Sequence, residues 1–110
     1  DGSLEQNGHT LHIEFKESYY SLTQGQILKA IRQAIYSNIV TFIVIGKTNN
    51  PVGYIKFTPD NLQPDLVECD KESFKDALRE WSQYTLENNL VESKSAEWEL
   101  TRKYFSKKED

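Results

Sequence analysis

The chain has few of the residues that staple small proteins or build metal centres. Its 110 residues include one cysteine, Cys69, and two histidines. A single thiol cannot form an internal disulfide, and it cannot supply the paired-cysteine spacings of zinc sites. A chain of this length can fold around one hydrophobic core without staples. We therefore expect a domain held by its core, in the cytoplasm or another reducing intracellular compartment.

Long apolar runs, methionine and excess positive charge are also missing. The longest mostly apolar run, Ile39 to Ile45, is too short to span a bilayer, and no signal-peptide pattern is present, so no membrane partner is expected. The net charge is −4, which disfavours general binding to nucleic acid because that binding depends on positive charge. Residues 1–8 contain no methionine and are interpreted as a flexible lead or a vector-derived remnant.

Periodicity in the first half predicts a strand, a helix and a second strand. Apolar residues alternate with polar ones over residues 9–16, which is typical of a half-buried strand. Thr23 and Gln26 have the spacing of a capping box, and apolar residues then recur at helical spacing over about 24–37. The nearly continuous run from Ile39 to Ile45 predicts a strand buried on both faces, and therefore central in its sheet.

The second half predicts a hairpin, a long connection and a second helix. Turn residues from Gly46 to Pro51 lead into a strand over 52–58. Residues 59–70 form an irregular connection, in which Leu66 and Val67 either pack against the core or form a short edge strand. Asp70 is a good N-cap for a helix over about 71–88.

Residues 95–105 fit either a strand or a helix by their apolar spacing. A strand would complete a β-α-β-β-α-β order. We therefore predict an α+β domain of the ferredoxin-like type over residues 9–105. It would have a single four-stranded antiparallel sheet, with both helices on one face and the last strand uncertain. Residues 106–110 are expected to be a disordered tail.

Candidate catalytic and metal-binding groups have simpler structural interpretations. Gly46-Lys47-Thr48 resembles the end of a phosphate-binding loop, but the glycine five residues earlier is replaced by Thr41 and a strand follows instead of a helix. His9 and His12 fall on opposite faces of their strand, so they cannot share a metal. Acidic neighbours should raise the pKa of the Cys69 thiol and make it unreactive. The sequence therefore predicts no enzyme activity, no metal and no cofactor.

The segment from Gly53 to Phe57 resembles the second half of the RNA-recognition-motif signature. In that family an aromatic residue on the open sheet face stacks on a base. The resemblance implies that Tyr54 is the stacking residue and that His12 stands where the family has its partner aromatic. The preceding Asn50-Pro51-Val52 departs from the family, which has a basic residue, a glycine and an aromatic there.

A sheet with one bare face would offer a binding platform. The predicted platform consists of His12, Glu14, Val52, Tyr54 and Lys56. We expect a non-catalytic protein-interaction domain with a protein partner, acting as a small acidic inhibitor or an assembly module. The alternative is single-stranded RNA binding through the same face, with phosphates held by a basic tail of Arg102, Lys103, Lys107 and Lys108.

Overall fold

The computed structural model describes residues 1–105, which form one mixed sheet with helices on both of its faces. Five strands lie in the order β1-β2-β3-β4-β5. Their bounds are β1 (Gly2–Gln6), β2 (His9–Lys16), β3 (Ile39–Lys47), β4 (Asn50–Phe57) and β5 (Val67–Glu68). The helices are α1 (Gln24–Ser37), α2 (Lys71–Glu87) and α3 (Lys94–Phe105), and a single 3-10 turn occupies Tyr19–Ser21. The expected α+β class is therefore confirmed.

The first residues belong to the fold, so their interpretation as a flexible lead is wrong. β1 pairs antiparallel with β2 through a tight turn at Asn7 and Gly8, both of which have positive φ. Asn-Gly is a favoured dipeptide for such two-residue turns because both positions require φ > 0. Asp1 extends the contact, since its carboxylate accepts a hydrogen bond from the Phe15 amide at 2.9 Å.

The sheet is not the expected four-stranded antiparallel one. β2 and β3 are parallel neighbours, joined by α1 as a crossover, while β3–β4 and β4–β5 are antiparallel. A parallel pair needs such a crossover because its second strand must start at the same end as the first. The ferredoxin-like order fails because β1 adds an edge strand that was not predicted and the last predicted strand is a helix.

The two main helices cover opposite faces, so the expected bare face is absent. On one face Phe74, Ala77 and Trp81 of α2 pack on Leu11, Phe42 and Val44 of the sheet. On the other face Ala30 of α1 packs on Ile43, Ile45, Ile55 and Phe57. The physical cause is β3, whose successive side chains are apolar and point to alternate faces. Both faces then need a helix to remove apolar surface from water.

The predicted helix starts are confirmed by their capping geometry. Thr23 accepts from the Gln26 amide at 3.2 Å, and the Gln26 side chain accepts from the Thr23 amide at 3.0 Å. Asp70 makes the equivalent pair with Ser73, each bond being 2.9 Å long. These bonds hold the pKa of Asp70 below its ordinary value. The caps satisfy amides that a helix leaves without intrahelical partners.

Three further details of the second half follow from the structure. The hairpin between β3 and β4 has a register shift at Gly46, whose φ is 114°. The alternative of a short edge strand near Leu66 and Val67 is confirmed, since β5 pairs with Gly53 and Tyr54 of β4. The strand expected over 95–105 is wrong, because residues 94–105 form α3. The expected tail at 106–110 lies outside the described residues.

Candidate functional site

The five residues of the predicted platform are divided between the two sheet faces. His12 and Glu14 alternate with Leu11 and therefore lie on the face that carries α1. On β4, Ile55 faces α1, so its alternate neighbours face α2. These neighbours are Val52, Tyr54 and Lys56. Because successive strand residues point to opposite sides, the five side chains cannot form one surface.

Tyr54 is a packing residue beneath α2 and not an exposed stacking platform. Its ring centroid lies 5.4 Å from that of Phe42 and 6.0 Å from that of Phe74. Burial first, then the charges of Glu80 and Cys69, raise the pKa of the Tyr54 phenol. Of the platform residues of β4, Val52 is exposed while Tyr54 and Lys56 are partly buried. The surface needed for base stacking by Tyr54 is therefore absent.

His12 and Glu14 instead belong to a polar row along β2. The row also contains Lys16, two residues further on the same face, and all three side chains are partly buried. His12 Nε2 lies 3.5 Å from Glu14 Oε1 and is shielded from solvent, but it forms no hydrogen bond within the described residues. Just before the neighbouring strand β1, the Asp1 carboxylate accepts a hydrogen bond from the Phe15 amide at 2.9 Å.

Lys56 lies where the sheet emerges from beneath α2. The helix crosses its face obliquely, from Phe74 over Tyr54 to Asn88, whose carbonyl lies 2.6 Å from His9 Nε2. The corner formed by the end of β4 and the start of β3 is left uncovered. A cleft of about 430 Å³ opens there, and Lys56 lines it together with Trp81.

Two of the four residues of the predicted basic tail lie within the described part of the chain. Arg102 and Lys103 are exposed on α3. Arg102 pairs with Glu99 at 3.2 Å, and the Lys103 ammonium lies 5.8 Å from the centroid of the Tyr104 ring. Lys107 and Lys108 lie outside the described residues. The two described cations therefore make contacts within α3 itself, and Glu97 and Glu99 lie on the same helix.

An exposed apolar side of α3 is the main feature that the strand prediction missed. Trp98, Leu100 and Tyr104 are 65%, 74% and 66% exposed, and no residue of α3 is buried. Leu100 and Tyr104 are four residues apart and share one side of the helix. Trp98 lies on another side of the helix, near Glu5, Gln6 and Asn7 of the first hairpin. The helical spacing that could have revealed this side was present in the sequence, but a strand was preferred to complete the sheet.

Residues 1–105 lack the features of three common kinds of site: a metal centre, a reactive thiol and a membrane span. In that range no group of three or more His, Cys, Asp or Glu side chains is placed to hold a metal ion. Burial first, and Asp70 second, raise the pKa of the Cys69 thiol, as its acidic surroundings predicted. No helix of the described chain is long and apolar enough to cross a membrane.

Comparisons with known proteins do not place the chain in a family. No family model, no curated protein and no solved structure matches it.

Proposed function

We propose that the chain is a protein-interaction domain that binds its partner through the apolar side of α3. The observation that carries the proposal is the exposure of Leu100 and Tyr104, which share one side of a helix that buries none of its residues in the domain. An amphipathic helix that lays its apolar side into a groove of another protein is a recurrent recognition mode. Tyr is also enriched among the residues that dominate binding energy.

The shape of the molecule supports this assignment. The chain has a radius of gyration of 16.7 Å and a longest extent of 54 Å, whereas a compact domain of about 100 residues has a radius near 13 Å. A helix as short as α3 is marginal in water unless its apolar side is packed. A partner would both bury this side and stabilise the helix. This surface replaces the sheet platform as the binding site of the expected interaction domain.

Two matched substitutions on α3 test the proposal. Leu100→Glu places a charge on the side that carries Leu100 and Tyr104, while Ser95→Glu places the same charge on the opposite side of the same helix. The immobilised chain is exposed to an extract, captured proteins are identified by mass spectrometry, and sedimentation velocity measures self-association. We expect a captured partner, or a dimer, that is lost with Leu100→Glu and kept with Ser95→Glu. A partner retained equally by both variants would contradict the assignment to α3.

A second candidate function is cation-assisted cleavage of phosphodiesters, and the polar row on β2 favours it. The Asp1 carboxylate accepts a hydrogen bond from the amide of Phe15, the residue that follows Glu14 on β2, at 2.9 Å. Mg²⁺ is commonly held by one or two carboxylates, with waters and substrate phosphates as its other ligands. Lys16 lies two residues beyond Glu14 on the same face and forms no ion pair within the described residues.

The chemistry of this second candidate follows from those groups. A cation between the carboxylates would polarise a phosphoryl oxygen and bind the attacking water. The Lys16 ammonium would stabilise negative charge that develops on the phosphate in the transition state. The water oxygen would form a bond to phosphorus and lose a proton to solvent, while the bond to the leaving sugar oxygen breaks and that oxygen takes up a proton from solvent. Nucleic acid would be the substrate, in contrast to the non-catalytic role expected from the sequence.

The test of the second candidate separates cation binding from cleavage. Amide shifts are recorded while Mg²⁺ is added, and linear DNA and RNA are incubated with the chain and Mg²⁺. We expect shifts centred on residues 12–16 and cleavage that is lost with Glu14→Gln and with Lys16→Met. Glu17→Gln, an exposed neighbour, is the matched control. Absence of both shifts and cleavage would refute this candidate and leave the α3 proposal untouched.

A further inference from the structure

The cleft at the uncovered corner of the sheet, defined by Val40, Lys56, Asp60, Trp81 and Tyr84, belongs to neither proposed function. Its volume of about 430 Å³ lies in the range of small-molecule sites. It exists because α2 starts near β5 and ends beside β2, and so leaves the end of β4 open. The cleft is thus formed by the main elements of the fold, not by a single loop.

One wall of the cleft is aromatic and is held in place by fixed contacts. Trp81 is 4% exposed and belongs to the core beneath α2. Tyr84, one turn further along, packs edge-on against the ring of His9 at a centroid distance of 5.4 Å. His9 in turn contacts the carbonyl of Asn88 at 2.6 Å. Val40 of β3 completes an apolar surface that a hydrocarbon or aromatic group could cover.

The other side of the cleft carries one positive and one negative charge. Lys56 is partly buried, and its ammonium lies 5.6 Å from the centroid of the Phe42 ring. Asp60 is exposed at the rim of the cleft and follows β4 in the turn that contains Thr58 and Asn61. Neither group forms a salt bridge or a side-chain hydrogen bond within residues 1–105, with the other or with any third group. Two opposite charges therefore line one cavity without neutralising each other.

We propose that this cleft binds a free α-amino acid with an apolar side chain. Its carboxylate would pair with Lys56, its ammonium with Asp60, and its side chain would cover Trp81 and Tyr84. A zwitterion suits the cleft because it brings a carboxylate for the partly buried Lys56 and an ammonium for the exposed Asp60 at the rim. Hydrogen bonds between charged groups are stronger than those between neutral groups, and removing one charged partner loses that binding energy.

The experiment titrates the labelled chain with compounds that differ by one charge. The probes are L-phenylalanine, N-acetyl-L-phenylalanine, which lacks the ammonium, and L-phenylalaninamide, which lacks the carboxylate. Amide shifts report the site and calorimetry reports the affinity. We expect L-phenylalanine to shift residues 40, 56–60 and 81–84, and each derivative to bind about tenfold more weakly or worse, the loss expected from one charged hydrogen bond.

Two variants test whether Lys56 and Asp60 bind the ligand, and both keep the size of the side chain so that the fold is preserved. Lys56→Met keeps an aliphatic chain over Phe42, and Asp60→Asn keeps the size of its side chain. Each should abolish the preference for the probe that carries the matching charge. Lys47→Met and Asp65→Asn, exposed elsewhere, should bind as the unchanged chain does. If L-phenylalanine produces no shifts at the cleft, or if all three probes bind equally well to the folded chain, the proposal is overturned.

Discussion

Replacing Tyr54 with alanine should destabilise the fold. The size of the loss distinguishes a packed ring from the exposed stacking platform that the sequence suggested. The ring packs between Phe42 and Phe74 beneath α2. Burial of a large apolar side chain contributes about 1.5–3 kcal/mol, and each aromatic contact adds about 0.5–1.5 kcal/mol. Since Tyr54 is only partly buried, we expect Tyr54→Ala to lower the free energy of unfolding by about 2–4 kcal/mol.

Urea denaturation, followed by circular dichroism, measures this loss. Tyr54→Phe is the first control and should cost less than about 1 kcal/mol, because the ring contacts remain. Val52→Ala is the second, since Val52 lies on the same strand and the same face but is 55% exposed, and it should cost less than about 1 kcal/mol. If Tyr54→Ala costs no more than Val52→Ala, then α2 does not cover this face and the two-sided arrangement is refuted.

The remaining predictions concern the hairpin, two titrating groups and α3. Gly46→Ala should cost roughly 1–3 kcal/mol in urea denaturation, because φ is positive and a Cβ would lie 2.9 Å from the Asn50 carbonyl oxygen. The folded pKa of Tyr54 is raised above its ordinary value of 10.0. The protonated phenol therefore contributes its full stabilisation of the fold below pH 10, and this stabilisation is lost as the pH rises through the folded pKa. Above that pH, the urea midpoint of the unchanged chain should fall more than that of Tyr54→Phe. Iodoacetamide should alkylate Cys69 near pH 8 more slowly than it alkylates a small free thiol, because burial and Asp70 raise the thiol pKa; an equal rate would contradict that environment. A chain that stops after residue 93 should lose less than about 0.5 kcal/mol, since α3 buries no residue; a larger loss by thermal melting would mean that α3 packs on the domain.

Local sequence patterns predicted the elements whose signals lie within a few residues. The alternation of Leu11, Ile13 and Phe15 gave β2, and the capping pairs of Thr23 and Asp70 marked the starts of α1 and α2. These signals depend on neighbouring residues only. They operate whatever the rest of the chain does, and so they survive in the final fold.

The packing of helices on the sheet was harder to predict from the sequence, although the sequence implied that both faces are covered. The run from Ile39 to Ile45 was expected to be buried on both faces, and a strand of that kind requires cover on both sides of the sheet. That requirement conflicts with a bare face, and the structure resolves it with α1 and α2 on opposite sides. Covering both faces of β3 therefore leaves no bare sheet face for a platform built from His12 and Tyr54.

Two other errors have separate physical causes. β1 was missed because the absence of methionine from residues 1–8 suggested a lead, although Asn7-Gly8 carried the signal of a tight hairpin turn. α3 was assigned as a strand because short apolar segments fit either period when no neighbour is known. The cleft beside Lys56 depends on the angle at which α2 crosses the sheet, and no local pattern encodes that angle.

The position of β3 has a consequence for how the domain opens. Its backbone is hydrogen-bonded to β2 on one side and β4 on the other, and the side chains of Phe42, Ile43 and Val44 are fully shielded from water. Deuterium should therefore reach these three amides only through disruption of the whole domain, while β1 at the rim exchanges through smaller openings. The middle of the chain would thus be the last part to release its protons, and its exchange rate would report the total stability of the molecule.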